Sequence, residues 1–172
     1  TFNDPVKIAK KMVEKLKNKA DLIIAISHLG ISEGSKYTSK KIAEEVDGID
    51  LIVDGHSHDA LKEGLEINDT LIVMAGEYDK NLGVVKLSVN NGRVNFKKAG
   101  LINKNDAADI KADQGVLYLV SKIKNQINVI TSQIIGKTTV KLDGEREDVR
   151  TKESNLANLV TDSMLAAVEA DC

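Results

Sequence analysis

The chain has 172 residues, 42% of them hydrophobic and 29% charged, with a formal net charge of −2. That length accommodates one domain, or one domain and part of a second, and the near-neutral charge excludes a general nucleic-acid binder, which carries a basic excess. No apolar run reaches the roughly 18 residues of a membrane span. Aromatic residues make up only 3% and Trp is absent, so the core must be built from Ile, Leu, Val and Ala. The single cysteine, Cys172, is the last residue and forms no internal disulfide. The opening Thr1-Phe2-Asn3-Asp4-Pro5 does not resemble a signal peptide.

Asp4-Pro5 predicts a helix start, with a carboxylate N-cap and Pro at the first helical position. Val6, Ala9, Val13, Leu16 and Ala20 recur at three- and four-residue spacings and line its inner face. Residues 22–26 are an unbroken apolar run, the pattern of a parallel strand covered on both faces. After a loop with Gly30, Ser32, Gly34 and Ser35, Thr38 predicts the cap of a second helix that turns Ile42, Ala43 and Val46 inward. Residues 49–53 form a second buried strand. Helix, strand, helix, strand predicts a right-handed β-α-β crossover.

After His58 the period changes. Residues 71–75 and 83–89 read as strands, Asn90-Asn91-Gly92 as a tight turn and residues 94–101 as the returning partner, an antiparallel run of hairpins. Residues 106–113 read as a polar connection. A long helix is expected over 114–130, with Leu117, Val120, Ile123, Ile127 and Ile130 inward. A strand over 133–142, an acidic turn over 143–148 and a last helix over 155–169 complete the pattern, the helix turning Leu156, Leu159, Val160 and Met164 inward. The last strand and helix lack partners and the first helix lacks a preceding strand, so the chain reads as a segment of a longer protein.

All three histidines sit in two short places, Ser27-His28-Leu29-Gly30 and Gly55-His56-Ser57-His58, each just after an apolar run. Imidazole is the commonest side-chain metal ligand, and turns that follow parallel strands form the typical active site of an open α/β sheet. His56 and His58 lie two apart on a turn that Gly55 makes permissive, and His28 approaches from the neighbouring strand. Three histidines either fill three positions around one metal or are shared between two; spacing leaves both arrangements open. Asp54 and Asp59 flank the turn with undetermined direction. The bland alternative, a capping His28 and a plain surface turn, suits a lone histidine better than three confined to two strand ends. Glu77 and Tyr78, on a strand-to-strand loop, read as packing residues. Arg150 reads as the partner of an acidic neighbour, and Ser154 or Asn155 as the cap of the last helix.

Asp21-Leu-Ile-Ile-Ala-Ile-Ser-His-Leu-Gly30 and Gly48-Ile-Asp-Leu-Ile-Val-Asp-Gly-His-Ser-His58 resemble the later motifs of the bacterial 5'-nucleotidase family of calcineurin-like metallophosphoesterases. Gly76-Glu-Tyr-Asp-Lys-Asn-Leu-Gly83 is similar to the next signature of that family, and Arg150-Thr-Lys-Glu-Ser-Asn-Leu-Ala-Asn-Leu159 to the opening of its C-terminal domain. The four motifs stand in the family's order and span nearly the whole chain.

The resemblance implies an α/β fold, part of a four-layered metallophosphoesterase sandwich, over 1–112. It implies a connecting helix over 113–131 and the start of an α+β C-terminal domain over 132–172. It implies two divalent metal ions, with Zn, Mn or Co as the favoured species and Mg as a fourth candidate. His28 and His56 match ligands of one metal, and His58 a ligand of the other. The implied activity is phosphate release from 5'-nucleotides. The alternatives are a 2',3'-cyclic nucleotide, a 3'-nucleotide or a UDP-sugar as substrate, or a non-catalytic binding module. No nucleic-acid polymer is implied as a partner, and the expected location is extracytoplasmic. The family's earlier motifs, Asp-x-His, Gly-Asp and Gly-Asn-His-Glu, do not occur in this chain and are expected upstream of Thr1; no catalytic residue is expected within it. Asp79 and Ala157 stand where the family commonly has Gly, which bears on local turn geometry.

Overall fold

The computed structural model of the chain describes residues 3–168. Cys172, and the end of the last helix expected at Glu169, lie outside the described residues. The chain divides into two compact units between Lys111 and Ala112.

In the first unit, Asp4 Oδ1 accepts the Val6 and Lys7 N–H groups at 2.9 and 3.2 Å, and Pro5 opens α1 (Pro5–Leu16). Ala20, expected on its inner face, is exposed beyond the helix end. Lys17-Asn18-Lys19 offers the core no apolar side chain that would reward another turn. The Thr38 hydroxyl accepts Lys41 N–H at 3.1 Å and caps α2 (Ser39–Glu45). The strands are β1 (Ile24–Ile26), β2 (Leu51–Val53), β3 (Leu65–Ile67) and β4 (Thr70–Val73), ordered β1-β2-β4-β3 in one sheet. β5 (Asn81–Asn90) and β6 (Arg93–Asn103) form a separate hairpin. Asn91 and Gly92 both take positive φ at its tip, as the Asn-Gly signal requires.

The expected all-antiparallel run after His58 is corrected here. β4 runs parallel to β2, with Leu51 opposite Leu71, and only β3–β4 and β5–β6 are antiparallel. Thr70, Leu71 and Ile72 are all buried, as in a central strand with both faces covered. β3 escapes sequence detection because it holds three residues, joined to β4 through Asn68-Asp69 with Asn68 at φ 51°.

Alternation along the strands splits the core in two. Ile52 and Ile72 face α1 and α2, where Val6, Val13, Ile42, Ala43, Val46 and Ile49 complete one cluster. Leu51 and Leu71 face the hairpin and meet Ala99, Val85 and Leu87. β1 departs from the expectation of two covered faces: Ile24 and Ile26 are exposed, Ile26 at 88%. They share the face of Leu51 and Val53 but stand at the sheet edge.

The second unit contains α3 (Gln114–Thr131), α4 (Arg146–Thr151) and α5 (Asn155–Ala167). Asp113 caps α3 by accepting Val116 N–H at 2.9 Å, and Ser154 caps α5 by accepting Ala157 N–H at 3.2 Å. The α3 residues expected to point inward, Leu117, Val120, Ile123, Ile127 and Ile130, are all exposed. Leu159, Val160 and Met164 of α5 are exposed as well. No strand forms over 133–142 among the described residues; a strand needs a neighbour for its N–H groups, and this unit supplies none. Instead the Asn155 side chain accepts Asp143 N–H at 2.7 Å and donates to the Lys141 carbonyl at 2.9 Å. The end of the acidic stretch expected to be a turn, residues 146–148, enters the helix α4, and Lys152 at its C-cap, rather than Arg150, pairs with Asp148 at 3.0 Å.

Candidate metal site

Three loops leave the carboxyl ends of β1, β2 and β4, where open α/β sheets place their ligand sites. The first carries His28, the second His56 and His58, the third Glu77. Backbone bonds extend the sheet into these loops: Ser27 N–H donates to Val53 O and Asp54 N–H to Val73 O, both at 2.9 Å.

His28 and His56 come together. Their rings meet edge-to-face with centroids 5.2 Å apart. A Cβ at Gly55 would stand 3.1 Å from His28 Nδ1, so the absence of a side chain there makes room for the ring. His56 itself has φ 76°, at the centre of a three-residue turn closed by Ser57 N–H on Gly55 O at 3.0 Å. A γ-turn with positive central φ is the rare, strained hand. His58 is also left-handed, at φ 61°. Such residues cost on the order of 1–3 kcal/mol each and cluster at functional sites.

Polar side chains lock the two turns to each other. Asp54 Oδ1 accepts Leu29 N–H at 3.0 Å and Gly55 N–H at 2.8 Å, one donor from each turn. The Ser57 hydroxyl accepts Ile31 N–H at 3.1 Å. Asp54 is buried and its Oδ2 makes no well-formed hydrogen bond; the Ser39 and Ser27 hydroxyls, themselves 2.9 Å apart, face the carboxylate in looser geometry. Burial pushes the Asp54 carboxyl up. The hydroxyl of Ser39, the two backbone N–H groups and Ser27 together outweigh it and hold the group below the usual carboxylate value.

His58 is held differently. Its Nδ1 lies 2.7 Å from Glu77 Oε2, and Glu77 Oε1 takes Lys80 Nζ at 3.0 Å. Lys80 first, and His58 after it, keep the Glu77 carboxyl below its ordinary value against an opposing effect of burial. The turn that presents Glu77 has Tyr78 at φ 55° and Asp79 at φ 52°. The departure from Gly at Asp79 therefore leaves a left-handed turn in place, and Asp is among the residues that tolerate it.

The structure thus brings His28 and His56 to each other and places His58 with Glu77. Among the described residues no group of three or more His, Cys, Asp or Glu side chains gathers around one point. Asp59 makes only a backbone contribution, accepting Gly76 N–H at 3.0 Å. Sequence reasoning missed Asp54 and Ser57 as clamps and read Glu77 as packing; each acts through a partner more than fifteen residues away, which spacing does not reveal. The donor chemistry suits a divalent ion of the Zn, Mn or Co type. Two imidazoles fall short of the three protein ligands usual at a catalytic metal, so this pair fits a site completed by other donors. The neighbouring cavity of about 230 Å³ between sheet and hairpin is mostly apolar, lined by Val53, Leu61, Val73 and Val85 with Asp54 at its wall, and no histidine lines it.

No family model matches the chain. It is 33% identical over 96% of its length to the trifunctional nucleotide phosphoesterase YfkN of Bacillus subtilis, covering 11% of that protein. It is 30% identical over 95% of its length to the 5'-nucleotidase of Diplobatis ommata and 31% identical over 89% to the snake venom 5'-nucleotidase of Crotalus adamanteus, covering 30% and 29% of them. The chain thus spans less than a third of these curated relatives. In fold it is similar to the calcineurin-like phosphoesterase YfkN, with a TM-score of 0.55 at 22% identity over 75% of this chain and 45% of that one. It is also similar to the sulfate thiohydrolase SoxB of Thermus thermophilus, with a TM-score of 0.66 at 22% identity over 97% and 29%. Over most of its length the chain is therefore a homologue of the 5'-nucleotidases and of YfkN, built on the calcineurin-like phosphoesterase fold.

Proposed function

We propose that this chain is a segment of a divalent-metal-dependent nucleotide phosphohydrolase, that His28 and His56 hold one ion and His58 a second, and that the segment is inactive alone. The reading rests above all on the His28–His56 pair: two imidazoles from residues far apart in sequence meet at 5.2 Å on neighbouring strand ends, one of them on strained backbone. Homology to proteins named as nucleotide phosphoesterase and 5'-nucleotidase supports a nucleotide phosphomonoester as substrate. The snake venom relatives support an extracytoplasmic place of action.

A pair of divalent ions supplies, when bound, charge neutralisation of the phosphoryl oxygens and an activated water. What the chain's own residues do is hold direction. Asp54 and Ser57 fix the spacing of the two histidine turns, so that His28 and His56 would be the residues that hold one ion from neighbouring strand ends. Glu77 holds His58 from behind.

Two measurements test the reading. In the full-length protein, His28→Ala and His56→Ala should each remove the same one of two tightly bound Zn²⁺ ions, and His58→Ala the other; unchanged metal content in all three variants overturns it. The isolated chain should release no phosphate from AMP with Zn²⁺ or Mn²⁺. Turnover that survives purification and vanishes with His56→Ala would refute the claim that this segment is inactive alone.

A further inference from the structure

Glu77 enters no part of the ligand set, yet it is the side chain most directly engaged with His58. The Nδ1–Oε2 separation of 2.7 Å is that of a charge-assisted hydrogen bond. A carboxylate accepts and does not donate, so the proton of this bond sits on Nδ1. The carboxylate is itself fixed from the other side, because Oε1 takes Lys80 Nζ at 3.0 Å. The backbone fixes it a third time. Lys80 N–H closes on Glu77 O at 3.2 Å across left-handed Tyr78 and Asp79, the two-residue geometry of a tight turn. The loop is then tied to the segment just past His58 by Gly76 N–H on Asp59 O and by the bridge between Ala60 and Ala75. Four residues of turn, one lysine and one strand bridge converge on keeping one carboxylate behind one imidazole.

We infer that Glu77 is a positioning residue for His58: it fixes the Nδ1–H tautomer and leaves Nε2 as the ring's free donor toward a divalent cation. The inference rests on the reading of His58 as a metal ligand. Metal-bound histidines commonly have such a partner behind them, because it sets both ring orientation and donor basicity. Lys80 acts one step further out, by holding the carboxylate in place. A solvated ion pair would need none of this bracing: surface pairs gain little and lose their geometry to side-chain freedom.

The test separates the inference from the reading beneath it. In full-length, metal-free protein labelled with ¹⁵N-histidine, two-bond ¹H–¹⁵N correlation above the imidazole titration reports the tautomer of His58, identified as the signal missing in His58→Ala. The wild type should show a protonated Nδ1 and a bare Nε2. Glu77→Ala should move His58 toward an Nε2–H population, while Glu77→Gln, whose amide oxygen still accepts from Nδ1, should restore the wild-type pattern. The His28 and His56 signals should stay in place in both, which also reports that the variants fold. Zn²⁺ titration should then show the ion lost in His58→Ala bound roughly 10–100-fold more weakly in Glu77→Ala, with Glu77→Gln in between. If His58→Ala removes an ion but Glu77→Ala leaves both tautomer and affinity unchanged, the inference is wrong and the metal reading stands. If His58→Ala removes no ion, the metal reading of His58 fails and the inference falls with it.

Discussion

Residues 3–111 and residues 112–168 both contain apolar side chains at helical spacing, and they use them differently. Every buried hydrophobic side chain among the described residues lies in the first unit, from Val6 to Ala99. In the second unit the one buried residue described is Ser154, the α5 cap. Yet α3 presents Leu117, Val120, Ile123 and Ile127 at helical spacing as regularly as α2 and its C-cap present Ile42, Ala43 and Val46. An apolar stripe predicts a helix; it does not by itself predict the surface that covers it. The histidine turns stand on the unit that has a buried core, and there Asp54 and Ser57 give the turns fixed neighbours.

The contrast is most open to attack at its buried extreme. Ile72, fully buried at 0% exposure on central β4, joins the α1 and α2 cluster. Ile72→Ala should cost roughly 2–5 kcal/mol, read as a lower midpoint in urea unfolding with little change in slope. A cost below about 1 kcal/mol would mean that the sheet is not packed as tightly as its burial implies, and the rigidity claimed for the site would lose its basis.

The clamp between the histidine turns comes next. Asp54→Ala removes the acceptor of both Leu29 and Gly55 N–H. Two half-buried donors without a partner should together cost about 1–3 kcal/mol, and hydrogen exchange should speed up at those two amides before it does in β2 itself. The His28–His56 spacing should loosen, so binding of the ion proposed for this pair should weaken in parallel. If both amides remain protected, water or Ser27 and Ser39 have taken over the contact and Asp54 does not hold the turns together.

How far the sequence foretold this molecule follows the range of each interaction. Asp4 with Pro5, Thr38, Ser154 and Asn91-Gly92 act within three residues of themselves, and each does what its local chemistry requires. The two histidine-bearing strand ends were legible for the same reason, since an apolar run followed by a polar turn is a local pattern. What sequence reading lost was non-local. Nothing in residues 70–73 says that their partner is β2 and not the next hairpin. Nothing near Ile24 and Ile26 says that the hairpin stops short of the sheet edge. Glu77 shows no sign of His58, nineteen residues earlier, until Gly76 and Asp59 are joined across the sheet end. Of the candidate site, the histidines could be named from the chain; which of them meet, and what braces each, required the fold.

The smallest expected effect is the sharpest test of the comparison. Leu117 lies on the α3 stripe but keeps 44% of its surface exposed. Leu117→Ala therefore removes a side chain with little burial to lose, and Ala is the better helix former, which offsets part of what is lost. The substitution should fall within about 0.5 kcal/mol of neutral, as exposed sites do, several-fold below Ile72→Ala despite a similar change in side-chain size. Helix content by circular dichroism should be unchanged. A loss above about 1.5 kcal/mol would show that the stripe is covered in solution, and the second unit would then resemble the first in having a core of its own.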